Sequence, residues 1–233
     1  MVRRGNERPV PPRLPPDLPH EPNLHLAADT AVTGVTIVGD FSEHILQGLV
    51  VEDAHIVNSS FIASDLNHLE VIDVLVEGTD FSGARMEEAT LSRVVFKNCR
   101  MSGLSMARSQ LRDVSFDDVR LDDVNLRRTT GERVLFDRVN LERGDLYAAH
   151  FASTCFFDCD LRRVDVSEAK LRGTKFHGSD LAEIRGGEDL RDIVIDSSQV
   201  LPLALRVFAG LNIRVEDDRD AKSANGRGSA QGT

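Results

Sequence analysis

From Phe41 to Leu181 every fifth residue of the chain is apolar. The series opens Phe41, Leu46, Val51, Ile56, Phe61 and closes Val166, Leu171, Phe176, Leu181; 28 of its 29 positions are apolar, where a composition of 41% would give about twelve. The one exception is Gly131. From Ala54 on, the side chains two residues before these centres are small or aliphatic, as at Ala54, Ser59, Ser64, Val74, Ala84, Cys99 and Cys159. Residues two apart in a strand point the same way. Both sets therefore face inward, and the residue between them faces out. The two residues after each centre are mostly polar, as in Glu87-Glu88, Asp122-Asp123, Arg127-Arg128 and Arg162-Arg163, and read as turns. The unit is a three-residue strand and a corner.

The phenylalanines count the units in one turn. Phe96, Phe116, Phe136, Phe156 and Phe176 recur every twenty residues, as do Phe41, Phe61 and Phe81. Four five-residue units per coil give a square cross-section, with like side chains stacked along the axis. At the roughly 4.8 Å spacing of hydrogen-bonded strands, 29 units predict about seven coils and a rod about 34 Å long. Charges in steps of twenty agree in part. Arg93, Asp113 and Arg133 alternate in sign, Asp123 meets Arg143 and Arg112 meets Glu132, but Arg100 lies under Arg120 and Asp122 under Glu142. Gly131 is expected to leave its coil underfilled.

The ends depart from the repeat. Residues 1–23 hold seven of the eight prolines and read as a disordered tether, with a PxxP ligand as the alternative. Residues 24–40 form an N-terminal cap or first coil: Val35 and Ile37 alternate as a strand would, yet Ile37 to Phe41 is one residue short of the period. The β-helix proper spans 41–196, with IVID as one more strand. Residues 197–216 read as a capping helix, N-capped by Ser197 or Ser198 and stopped by Gly210, and a short strand over 211–215. Residues 217–233 are polar and read as a disordered tail. Val200, Leu201, Leu203, Leu205, Val207, Phe208 and Leu211 make the helix apolar nearly all round, so it must be covered on every side. One side can plug the open end of the solenoid. The rest forms a candidate dimer surface.

Charge is unevenly placed. The net charge is −10, yet from Leu14 to Ala84 there are twelve acids and no Lys or Arg, whereas 81–180 holds 17 cations against 16 acids. A candidate acidic interaction surface therefore comprises Asp40, Glu43, Glu52, Asp53, Asp65, Glu70, Asp73 and Glu77. No secretory signal or membrane-length apolar run is present, so a cytoplasmic location is the default expectation, with no membrane partner. Three cysteines make no disulfide framework. Cys99 and Cys159 read as core fillers, and Cys155 as exposed with Lys175 one coil away. The seven histidines show no metal-ligand spacing, no cofactor motif appears, and carboxylates on a convex rod do not converge for acid/base work. No enzyme activity is expected.

SSFIA, SDLNH, TDFSG, VNLRR, VNLER, GDLYA, CDLRR and SDLAE match the consensus A(D/N)LXX, and over about 140 residues the chain resembles the pentapeptide-repeat proteins. The resemblance implies a right-handed quadrilateral parallel β-helix filled by side chains. It also implies two readings of function. The first is a rigid protein-interaction scaffold that binds no nucleic acid directly. The alternative is a DNA mimic that binds DNA gyrase and protects it from quinolones, as some members of the family do. Relatives that pair through their C-terminal ends imply a homodimer through the helix.

Overall fold

The computed structural model describes residues 8–21 and 24–213. All 28 apolar centres are buried, and the small residues two before them face inward beside them. The chain winds into one parallel sheet with nine rungs on its main path, about eight turns. In chain order the rungs are β1 (Ala31–Thr33), β3 (Val50–Val57), β4 (Glu70–Glu77), β5 (Thr90–Lys97), β6 (Gln110–Asp117), β7 (Thr130–Asp137), β9 (Cys155–Phe157), β10 (Lys175–His177) and β11 (Val194–Ile195). Two short strands, β2 (Thr36–Ile37) and β8 (His150–Ala152), pair with β3 and β7.

From β3 to β10 the register advances by twenty residues per coil, as in Val76↔Phe96↔Phe116↔Phe136↔Phe156. The first and last steps are nineteen, Ala31↔Val50 and Lys175↔Val194. The one-residue slip before Phe41 is thus real, and a second one, not legible beforehand, closes the far end. These two short coils raise the count above the seven expected. Phenylalanine rings stack on two faces, Phe41–Phe61–Phe81 with centroids 5.0 Å apart and Phe96 to Phe176 at 4.6–5.0 Å. Phe81 and Phe96 meet edge to face at 6.3 Å and join the two stacks.

Six of the hydroxyls and thiols at the inward small position share one kind of partner. Ser64, Cys99, Ser109, Thr129, Cys159 and Ser179 each donate to the carbonyl of the apolar centre 23 residues earlier. Ser59 donates to Ile37, 22 residues back, because its lower coil is the short one. A polar group in a dry core is costly unless paired, so these residues sit at the position at little cost, whereas the buried Thr154 and Thr174 hydroxyls at the same position have no partner among the described residues.

The residue two after each centre has positive φ at nearly every corner, including Asp53, Asp73, Arg93, Asp113 and Arg133 (φ 48–56°). Each such non-glycine residue carries a cost of order 1 kcal/mol, which the inter-coil hydrogen bonds offset. Glycine is needed where the corner is also crowded: a Cβ on Gly178 would sit 2.0 Å from the Asp158 carboxylate below.

Gly131 does not leave its coil underfilled. The ring of Phe151, its ladder neighbour one coil above, occupies the space a side chain would take. At the N-terminal end Leu26 is buried against the first coil. At the other end, Asp196 and Gln199 form a reciprocal capping box over a short 3-10 turn, Ser197–Gln199, which runs into α1 (Val200–Gly210). The cap is therefore Asp196 rather than Ser197 or Ser198. The helix ends at Gly210, as expected, but the left-handed residue that terminates it is Asn212 (φ 56°) rather than the glycine. The Asn212 amide donates to Ala209 and the Ile213 amide to Phe208, the Schellman pattern with asparagine in the left-handed position. Leu211 and Asn212 are turn and Ile213 is irregular, rather than strand; residues 214–216 and the tail from 217 lie outside the described residues.

Residues 8–21 are not a loose tether. His20 bridges to Thr36, the Thr36 amide donates to the Pro19 carbonyl at 2.8 Å, and the segment continues across the solenoid. Residues 1–7, 22 and 23 lie outside the described set.

Candidate functional site

The eight acids expected to form one surface are spread around the rod. A twenty-residue coil puts Asp40 and Glu43 on one face, Asp65 on the next, Glu52, Asp53, Glu70 and Asp73 around a third, and Glu77 on the fourth. Asp65 and Asp73 are buried and already partnered, the first by Arg85 and Gln47, the second by Arg93. Glu77 accepts from His55 at 3.0 Å. A single acidic recognition face therefore does not form.

What forms instead is a corner ladder of alternating charge. Arg93 donates through Nε (2.7 Å) and Nη2 to both oxygens of Asp73, and Arg133 likewise to Asp113 at 2.7 and 2.9 Å. Asp73 and Asp113 are only 8% and 5% exposed. Their remaining acceptor capacity is taken from outside the solenoid. The backbone N–H of Arg13 donates to Asp73 Oδ1 and that of Val10 to Asp113 Oδ1, each at 3.0 Å. Among the described residues other corners repeat the motif without the visitor: Arg143 grips Asp123, Arg138 grips Asp118, and Arg112 approaches Glu132 at 3.4 Å. The like-charged ladders resolve by turning aside. Arg100 reaches back to Asp80 at 3.8 Å, and Glu142 faces Arg143, Arg162 and Arg163.

These contacts predict the acid behaviour of the fold. The Arg93 guanidinium holds the Asp73 carboxyl below its ordinary range, and Arg133 does the same for Asp113. Burial pushes Asp65 up, but its hydrogen bonds outweigh that and leave it lowered. A carboxyl with a depressed folded value adds stability above its unfolded value, about 3.9, that is lost as pH falls through the folded one. Burial raises the Cys99 and Cys159 thiols from an ordinary 9.0 to about 11 and about 12. Their contribution is complete below 9 and disappears as pH rises toward those values. The melting temperature, followed by circular dichroism, should stay level in mild acid, fall below about pH 4 and fall again above pH 9. A steady decline between neutrality and mild acid would contradict this assignment.

The cysteines form no disulfide. Cys99 and Cys159 are core, as expected, but Cys155 is also buried, at 7% exposure. It lies in a ladder between Leu135 and Lys175. Among the described residues no group of His, Cys, Asp and Glu side chains has metal-ligand geometry, and no helix is long and apolar enough to cross a membrane.

α1 divides its seven apolar residues unequally. Leu203 is buried and Val207 packs partly against the core, beside Ile184 and the Gly187–Asp189 turn. Gly210 admits the Glu188 carboxylate, which would lie 2.6 Å from any Cβ there. Val200, Leu201, Leu205, Phe208 and Leu211 remain 38–69% exposed.

Comparison with known proteins agrees with the coil geometry. A family model described as a pentapeptide repeat region matches residues 73–146, and one described as pentapeptide repeats (8 copies) matches 159–183. Similar solved structures include HetL, a pentapeptide repeat protein involved in heterocyst differentiation regulation from Nostoc sp. strain PCC 7120 (15% identity, 72% of this chain and 87% of that one, TM-score 0.31). Another is a trypsin-treated variant of QnrB1, a plasmid-mediated fluoroquinolone resistance protein (18% identity, 85% and 99%, TM-score 0.38). No curated protein sequence matches the chain. With TM-scores this low, the family assignment rests on the repeat register and the two family-model matches. The chain is a pentapeptide-repeat protein, a parallel β-solenoid closed by one C-terminal helix.

Proposed function

We propose that the chain is a non-enzymatic, rigid protein-interaction scaffold that pairs with a second copy through α1. The observation behind this reading is the uncovered apolar row of Val200, Leu201, Leu205, Phe208 and Leu211 at the end of a straight rod. Burying a side chain of this kind fully is worth about 1.5–3 kcal/mol, so five left half in water favour association. A two-fold pairing puts the same row on both sides of the interface, and two-fold dimers are the commonest oligomer. Sedimentation at micromolar concentration should give a dimer for the full chain and a monomer for Leu201→Glu combined with Leu205→Glu. A monomeric full chain refutes the pairing.

The gyrase-directed DNA mimic is the second reading, favoured by the cation-free stretch from Leu14 to Ala84. Against it, the coils above Phe81 carry carboxylates already gripped by arginines one coil away, as at Asp113, Asp118 and Asp123. Such a surface is charge-balanced rather than duplex-like. A supercoiling assay with purified gyrase discriminates the two: no change in supercoiling or in quinolone sensitivity is expected.

A further inference from the structure

We propose that the Asp73–Arg93–Asp113–Arg133 corner is a binding site for an extended proline-rich polypeptide, and that residues 8–21 are its built-in, exchangeable occupant.

The argument starts from two spacings. Asp73 and Asp113 are two coils apart, about 9.6 Å at the usual strand spacing. Val10 and Arg13, whose amides reach them, are three residues apart, and three residues of polyproline II advance about 9.3 Å. One turn of a polyproline helix thus spans two coils of the solenoid. The sequence Pro9-Val10-Pro11-Pro12-Arg13 places the N–H groups at the two positions that meet a carboxylate and prolines between them. Proline holds this backbone extended before it binds, so little entropy is lost on docking.

The receptor is equally specific. Each carboxylate is clamped by the arginine one coil above, which fixes its direction and keeps it ionised. What remains is an acceptor aimed outward at a corner, with its twin two coils away. An N–H donating to a carboxylate is about twice as strong as a neutral pair. Charge points the same way. The chain before Leu14 carries Arg3, Arg4, Arg8 and Arg13 against the single acid Glu7, and Arg13 meets Asp73 within the stretch that has no cation of its own up to Ala84. The site lies on β4 and β6, in the middle of the solenoid, and does not depend on α1.

The experiment removes the donors without disturbing the backbone. In full-length Val10→Pro/Arg13→Pro the segment keeps its polyproline preference and loses both N–H groups. Val10→Ala/Arg13→Ala keeps them. A labelled synthetic peptide of residues 8–21 is then titrated into each full chain by fluorescence anisotropy, with thermal melts confirming that all variants are folded. The peptide should bind the double-proline chain at tens of micromolar. It should bind the wild-type and double-alanine chains at least ten times more weakly, because their own segment holds the site at high effective concentration. Adding Asp73→Asn and Asp113→Asn to the double-proline chain should weaken binding a further tenfold or more. Hydrogen exchange at Val10 and Arg13 should be slowed in the wild-type chain. Unprotected amides there, no peptide binding to the double-proline chain, or equal binding to all chains would each overturn the proposal.

Discussion

Phe136→Ala should destabilise the protein by about 3–5 kcal/mol and lower the melting temperature by roughly 10 °C. Phe136 is fully buried at the middle of the longer stack, with ring centroids 5.0 Å from Phe116, 4.6 Å from Phe156 and 6.3 Å from the edge-on ring of Phe151. Removing it leaves a void bounded by rings whose backbones are held in register by the ladder above and below. They cannot collapse into it, so the cost lies at the upper end of the usual range. In a solenoid each coil contacts only its neighbours, and stability is close to a sum of coil and interface contributions. Hydrogen exchange should therefore accelerate first in β6, β7 and β9, and much less in β3. Thermal melts and segment-resolved exchange on the same variant check both statements. Uniform acceleration along the rod would mean that the coils unfold as one unit.

Much of this fold was legible because its interactions are periodic. A centre every five residues and a phenylalanine every twenty fix both the inward face and the coil length, and the one-residue gap between Ile37 and Phe41 marks the short first coil. The period also separates residues that a composition count groups together. Asp40, Glu52, Asp65 and Glu77 fall on four different faces, so an acidic stretch of sequence does not become an acidic surface. The docking of residues 8–21 was not legible, because its contacts join Val10 to Asp113 and Arg13 to Asp73 across 103 and 60 residues. The available signal was the placement of the only non-proline residues in PVPPR three apart, opposite a corner carboxylate every second coil. Cys155 was misplaced for a related reason. It is buried although it lies between the two inward positions, flanked by Leu135 and Lys175 in neighbouring coils, and spacing within one coil does not reveal such inter-coil surroundings.

The same inter-coil logic makes the Gly131 site the sharpest test of the packing. Leucine flanks it in the ladder on one side and phenylalanine on the other, in the order Leu111, Gly131, Phe151 and then Leu171 two coils on. A Cβ at Gly131 would lie 2.2 Å from Phe151 Cδ1 and 3.0 Å from a Val134 methyl. Gly131→Leu should therefore cost at least the 1–3 kcal/mol typical of overpacking. Phe151→Leu alone should also destabilise, because the shortened side chain no longer fills the space above the glycine. Made together, the two restore a leucine at every rung from Leu111 to Leu171. The double variant should then be more stable than either single one, with a favourable coupling of about 1–3 kcal/mol. Removing a strand glycine also spares the entropy that it loses on folding, about 0.5–1 kcal/mol, so recovery to the wild-type midpoint is within reach. Denaturant midpoints for the four proteins of the cycle measure the coupling directly. Additive losses would show that Phe151 does not fill the glycine's space and that the coil relaxes around each change independently.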